Sequence, residues 1–199
     1  MRIDFIADAA CVWSFITWRQ LRAAMRDFAA DFDIAVFFPR AQSAVPRSKL
    51  NPADRARMLA ETARPLLAQA GCDVDFDALP RLPDDLSPLY RMMQSAFSCR
   101  KGCAVLDAVF SSFFERGENI GDIAVINRIA RENGVPAGLQ PDRPAAARPD
   151  PTANEILQAV PCLIFDRRTI IFGAQTDVCL KNMIALALNL EKEPDFQQI

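Results

Sequence analysis

The chain of 199 residues contains no histidine. That single absence removes Ser-His-Asp and Cys-His catalysis, His-ligated zinc and imidazole proton shuttling. Chemistry is left to thiols, carboxylates, hydroxyls, Lys/Arg and backbone groups. A run of about 18 apolar residues, the length that reads as a bilayer span, is also missing. No transmembrane helix is therefore expected. Asp4 and Asp8 interrupt the apolar opening and no small-residue cleavage site follows, so the N-terminus does not read as a signal peptide. A formal net charge of −2 offers no global basic surface, which argues against nucleic acid and acidic membranes as partners. Internal repeats and low-complexity segments are absent. These exclusions lead to a cytoplasmic location, where the six cysteines stay mostly as reduced thiols.

What is present is ample for a packed core, with 51% hydrophobic residues in a length that suits one large domain or one domain with a sizeable insertion. Residues 2–7 alternate as a strand. Residues 12–30 read as a helix, with Phe15, Trp18, Leu21, Met25 and Phe28 recurring on one face. Residues 33–38 read as a second strand, stopped by Pro39. The β-α-β order predicts that the two strands are parallel. Asn51-Pro52 then signals a helix start, and the helix runs towards Gly71 with Pro65 expected to kink or shorten it. Further helices are expected over about 87–97 and 100–116, the latter presenting Val105, Leu106, Val109, Phe110, Phe113 and Phe114. Asp122 caps another through Ile126 and Ile129 to Gly134. Pro136, Pro141, Pro144, Pro149 and Pro151 mark an extended connection. A short helix at 151–158 precedes a proline-opened strand at 160–165, a turn at Asp166-Arg167-Arg168 and a returning strand from Thr169 to Phe172. A helix over 176–190, with Val178, Met183, Ala187 and Leu190 among its apolar positions, closes the chain. The pattern is βαβ, a helical block, then ββα. It fits an α/β, thioredoxin-like fold with an all-helical insertion after the second strand. Residues 1–39 and 151–199 would form the thioredoxin-like domain, and 40–150 the insertion and its connecting loop.

With histidine excluded, Cys11-Val12-Trp13-Ser14 becomes the leading chemical feature. A cysteine in the first turn of a helix, straight after a strand, meets free N–H groups and the positive end of the helix dipole. There a thiol pKa of about 8.5 is expected to fall into the range of roughly 3.5–7.5. Ser14, one turn on, is placed to donate a hydrogen bond to the thiolate. A lone thiolate attacks a disulfide and forms a mixed disulfide, but resolving that species needs glutathione, a partner protein or another cysteine of the chain. The plainer reading of Cys11 is a small buried hydrophobe.

The opening from Ile3 to Ser14 resembles that of DsbA-like thioredoxin-fold proteins, specifically the FrnE-like branch. That branch groups with 2-hydroxychromene-2-carboxylate isomerases and kappa-class glutathione transferases. Such openings run strand, Asp, two residues, Cys-Pro-Trp-Cys (or Ser), helix. The resemblance recurs at Phe114-Glu115-Arg116-Gly117-Glu118-Asn119-Ile120-Gly121-Asp122, at Val160-Pro161 and at Phe172-Gly173-Ala174-Gln175, in order along nearly the whole chain. Two departures stand out. Val12 occupies the usual proline position, and Ser14 that of the second cysteine. In the isomerase and transferase relatives the first position is itself a serine that holds the glutathione sulfur, so this chain mixes the two patterns.

The resemblance implies that Pro161 is cis and faces the nucleophile, leaving the backbone of Val160 free to pair with a peptide or glutathione; otherwise Pro161 simply opens an edge strand. It also implies that Gly173, Ala174 and Gln175 lie where kappa-class transferases hold the γ-glutamyl end of glutathione with Ser and Asp. Here Ala174 and Gln175 weaken that pocket, and Thr176 or Asp177 is expected to cap the helix. Trp13 and Trp18 read as partly core, and on the resemblance Trp13 alternatively borders the substrate groove. Cys99 and Cys103, four apart on one helix, form either a redox pair or a chance placement; without histidine they make a poor zinc site, and no metal is expected. Cys162 reads as a core strand residue, Cys72 and Cys179 as structural. Arg40, Arg47 and Lys49 form a solvated loop or an anionic-substrate patch. The function these features suggest is a thiol–disulfide oxidoreductase with Cys11 as sole nucleophile and glutathione as co-reactant, acting on a disulfide-containing protein or small molecule. The alternatives are a glutathione-dependent isomerase or transferase, and a non-enzymatic redox-fold interaction module. Kappa-class relatives commonly form homodimers, but no apolar patch in this sequence identifies an interface.

Overall fold

The computed structural model describes residues 1–38, 52–81, 85–136 and 160–190. Four strands, β1 (Arg2–Ile6), β2 (Asp33–Phe37), β3 (Cys162–Phe165) and β4 (Thr169–Phe172), form one sheet in the order β2-β1-β3-β4. β1 and β2 run parallel, as the crossover predicts, while β3 is antiparallel to both β1 and β4. With α1 (Val12–Met25) and α6 (Asp177–Leu190) packed together against the sheet, this is a thioredoxin-like α/β fold. β1 is central and packs on both faces. Ile3 and Phe5 enter the main core with Leu163 and Phe165, whereas Ile6 joins Cys162 and Ile164 on the opposite face. On that second face Arg2 and Asp4 are paired with each other at 2.7 Å.

Between β2 and β3 the described residues contain helices and no strand: α2 (Pro52–Gln69), α3 (Ser87–Ser98), α4 (Gly102–Phe110), a π-helical turn (Ser111–Glu115) and α5 (Ile123–Glu132). Among the described residues no helix is long and apolar enough to cross a membrane. The boundaries expected at 39/40 and 150/151, Arg40, Arg47, Lys49, the Asn51 cap, the proline-rich connection from residue 137 onward and the helix at 151–158 all lie outside the described residues.

Several expectations shift. α1 stops at Met25 because the N–H groups of Arg26, Asp27 and Phe28 turn to carbonyls three residues back, tightening the end of the helix. Pro65 neither shortens nor stops α2. It is exposed, as is Glu61, whose carbonyl loses its partner, so water can replace the missing bond. Cys99 and Cys103 do not share a helix. Cys99 caps α3, Arg100 takes a left-handed φ of 60°, and Lys101 N–H closes back on the Ala96 carbonyl at 2.8 Å. Gly102 can start α4 here because a Cβ on it would lie 2.2 Å from Phe97 Cδ1. The expected apolar face of 100–116 is buried, but its last turn is widened. Arg116 N–H reaches the Ser111 carbonyl at 3.0 Å, an i→i−5 bond. Finally, Val178 on α6 is 62% exposed. The core takes Leu180, Ile184 and Ala187 instead, a stripe at helical spacing to which Val178 does not belong.

Candidate active site

The strand directions gather the candidate residues at one end of the sheet. β1 and β2 finish there, β3 starts there, and β4 finishes there. Ile6 pairs with Cys162 as the outermost β1–β3 couple, so the next residues outward are Ala7 and Asp8 on one strand and Pro161 and Val160 on the other. Ala7 N–H donates to the Phe37 carbonyl, and Gly173 N–H donates to the Pro161 carbonyl, each at 2.9 Å. The Val160–Pro161 peptide is cis, as the resemblance implied. Cys11, Trp13, Ser14, Val160, Pro161, Gly173, Ala174 and Gln175 thus belong to elements that meet at this end.

Cys11 is the N-cap of α1, in an extended conformation with φ −95° and ψ 114°. Its carbonyl accepts the first helical bond from Phe15 N–H, and its own N–H donates to the Asp8 carbonyl, both at 3.1 Å. Ser14 is fully buried, and its hydroxyl accepts Asp8 N–H at 3.1 Å. The Cys11 side chain makes no cap hydrogen bond to the first turn, and the nearby Ser14 and Trp13 groups only pull its thiol down. The net result is nevertheless the reverse of the low pKa expected. Burial pushes the thiol up, the Asp8 charge adds to that push, and the donors from Ser14 and Trp13 only partly offset them. Burial also raises the thiols of Cys72 and Cys103, and it pushes Cys162 up to about 11. All six cysteines are free thiols.

The stretch after β4 is largely satisfied by its own backbone. Gln175 Nε2 donates to the Phe172 carbonyl at 2.9 Å, and Thr176 Oγ1 accepts Cys179 N–H at 3.3 Å. Thr176 is thus the cap of α6, and the Gln175 amide is folded inward. Trp13 is half-buried beside Cys11, while Trp18 is wholly core. Trp18 stacks on Phe5 and donates to Asp107 Oδ1 at 2.6 Å. Arg19 pairs with Glu115 at 2.6 Å, and Phe15 stacks on Phe114 with ring centroids 4.9 Å apart. These contacts tie the site helix to α4 and the π turn. Among the described residues no group of three His, Cys, Asp or Glu is placed to hold a metal ion.

Asp8 is the residue the sequence reading passed over. It is 1% exposed, and its carboxylate accepts Ala10 N–H at 2.8 Å. The available signal was its place three residues before the cysteine, which marked a motif without assigning a role.

Strands and helices together describe a thioredoxin-like fold, with the thiol of Cys11 at a helix start and a cis-proline at the same end of the sheet. No protein-family model matches the chain, and no curated protein matches it in sequence. Solved structures do match. The chain is similar to the probable DsbA oxidoreductase of Streptomyces coelicolor, with a TM-score of 0.70 and 20% identity over 100% of this chain and 94% of that one. It is also similar to the cytosolic disulfide reductase DsbM of Pseudomonas aeruginosa, solved with GSH, with a TM-score of 0.63 and 16% identity over 96% and 98% of the two chains. A provisionally assigned protein disulfide isomerase of Nitrosomonas europaea matches with a TM-score of 0.65 and 16% identity over 95% and 98%. The chain thus has the fold of DsbA-like oxidoreductases.

Proposed function

We propose that the protein is a cytoplasmic thiol–disulfide oxidoreductase of DsbA-like type that uses Cys11 as its single nucleophile and glutathione as co-reactant. The observation that carries this reading is the place of one sulfur. Cys11 is the N-cap of α1 at the end of the sheet that holds the cis Val160–Pro161 peptide, and the position one turn on is a buried hydroxyl instead of a second thiol. At a helix start the positive end of the dipole favours negative charge on the sulfur when it attacks or departs. In the reaction, the Cys11 thiolate attacks one sulfur of a disulfide, a new S–S bond forms, and the other sulfur leaves as a thiolate that takes up a proton. A glutathione thiolate then attacks the mixed disulfide and releases Cys11. Each exchange breaks one S–S bond and makes one. Likeness to DsbM, which was solved with GSH, supports glutathione as the outside thiol.

The test is to incubate wild type and Cys11→Ala with oxidised glutathione and map adducts by intact and peptide mass. Wild type should take up one glutathione at Cys11, and reduced glutathione should remove it. Equal labelling of the variant sinks the assignment. The raised thiol pKa favours one second reading, in which Cys11 and Ser14 orient a glutathione sulfur for isomerase or transferase chemistry. That reading predicts saturable binding by calorimetry with no covalent adduct, and lack of binding at millimolar glutathione counts against it.

A further inference from the structure

We propose that Asp8 is a positioning residue of this site: its buried side chain shapes the turn that presents Cys11, and its negative charge, set against the hydroxyl of Ser14, governs how readily the sulfur attacks. The proposal rests on the reading of Cys11 as nucleophile. The geometry begins where β1 ends. Three bonds run from Asp8 to the first residues of the site. Its carboxylate accepts Ala10 N–H at 2.8 Å, its carbonyl accepts Cys11 N–H at 3.1 Å, and its N–H donates to Ser14 Oγ at 3.1 Å. The last bond uses the Ser14 oxygen as an acceptor and fixes the hydroxyl whose influence lowers the Cys11 thiol. One residue therefore holds the group that favours the thiolate and also supplies the charge that opposes it.

Electrostatics give the two influences opposite signs. Beyond the effect of burial itself, the Ser14 N–H and hydroxyl pull the Cys11 thiol down and the Asp8 charge pushes it up. Asp8 is the one charged group whose field acts appreciably on Cys11 among the described residues. Creating a second anion beside a carboxylate that is 1% exposed is costly, because little water screens the pair. A thiol restrained in this way forms a more nucleophilic thiolate and a poorer leaving group. The first trait favours attack on a disulfide, and the second slows the departure of Cys11 when the outside thiol resolves the mixed disulfide.

The experiment compares wild type, Asp8→Asn and Ser14→Ala by the rate at which iodoacetamide alkylates Cys11, resolved by peptide mass from about pH 6 to about pH 11, a range that brackets a thiol raised above its ordinary value. Asn keeps an oxygen for Ala10 N–H and leaves both backbone bonds intact while it removes the charge. Nucleophilicity falls as the pKa falls, with a Brønsted slope of about 0.4–0.5, so a tenfold gain in thiolate appears as about a threefold gain in rate. Asp8→Asn should therefore react about two- to threefold faster at neutral pH, with its midpoint moved lower; Ser14→Ala should react more slowly, with its midpoint moved higher. Cys162, wholly buried, reports folding by staying unreactive. If Asp8→Asn exposes Cys162, Asp8→Ser supplies a short uncharged acceptor and the same midpoint is read. A midpoint unmoved or raised in a folded, uncharged variant overturns the proposal. Absence of any glutathione adduct on wild-type Cys11 would instead overturn the exchange reaction, and the alkylation midpoints would still decide the role of Asp8.

Discussion

The link between the site helix and the inserted helices should be measurable through Trp18. Its ring is fully buried and nearly parallel to Phe5, with centroids 5.8 Å apart and 9° between planes. Its Nε1 donates to Asp107 Oδ1 at 2.6 Å, and Arg22 lies over the ring at 5.7 Å. Trp18→Phe keeps most of the packing and removes the donor. A hydrogen bond to a charged group contributes about 1.5–3 kcal/mol. Asp107 is 31% exposed and keeps Arg22 at 3.6 Å, so water and Arg22 recover part of that loss, leaving about 1–1.5 kcal/mol for the bond. The smaller ring leaves a partial void costing about 1 kcal/mol more, for a total of about 2–2.5 kcal/mol. At roughly 2–4 °C per kcal/mol for a chain of this size, Tm should fall by roughly 4–10 °C. The decisive assay is a double-mutant cycle by urea unfolding with Trp18→Phe, Asp107→Ala and the pair. A coupling of about 1 kcal/mol or more is expected, whereas additivity within about 0.3–0.5 kcal/mol would refute the claim that this bond joins α1 to α4.

Two further outcomes follow from the site and its surroundings. Ser14→Cys places a second thiol one turn from Cys11, where Asp8 N–H already points. Under oxidised glutathione it should end as an internal disulfide, two hydrogens lighter by intact mass, and a persistent glutathione adduct would contradict the geometry. Glu118 gives a pH signature. Burial pushes its carboxyl up, but hydrogen bonds from Ser112 and Arg116 and the charges of Arg116 and Arg128 outweigh that and hold it below the usual range. A depressed folded pKa contributes stability that is present above the unfolded value of about 4.3 and is lost as pH falls through the folded one. Glu118→Gln should therefore lose less stability than wild type between about pH 4.3 and more acid conditions, read by urea midpoints. Parallel acid limbs would show that the ion-pair cluster contributes nothing there.

Local periodicity and turn chemistry made most elements legible. The alternation of Ile3 and Phe5, the spacing of Phe15, Trp18 and Leu21, and the Asp122 cap, which accepts Ala124 N–H at 2.8 Å, are all short-range signals, and short-range signals survive in a sequence. The parallel pairing of β1 with β2 followed from the length of the crossover between them. The cis Val160–Pro161 peptide came through family resemblance and through no property of the dipeptide itself. The misplacements were decided by side-chain packing and by which face of an element meets the core, neither of which periodicity records. Val178 sits on the solvent side of a helix whose apolar residues run all round. The break at Cys99 reflects the ring of Phe97 lying over Gly102.

By itself, the sequence determined which chemistries are closed to this protein, since a missing histidine has the same meaning in any fold. It also determined that one thiol, followed by a serine, begins a helix directly after a strand. Only the tertiary structure decided how that thiol behaves. Spacing can place Cys11 among helix-end donors, but the balance between those donors, desolvation and the Asp8 carboxylate depends on how tightly the first turn is enclosed. Burial of charge is a property of the packed molecule, and here it raised a pKa that the local motif alone would lower.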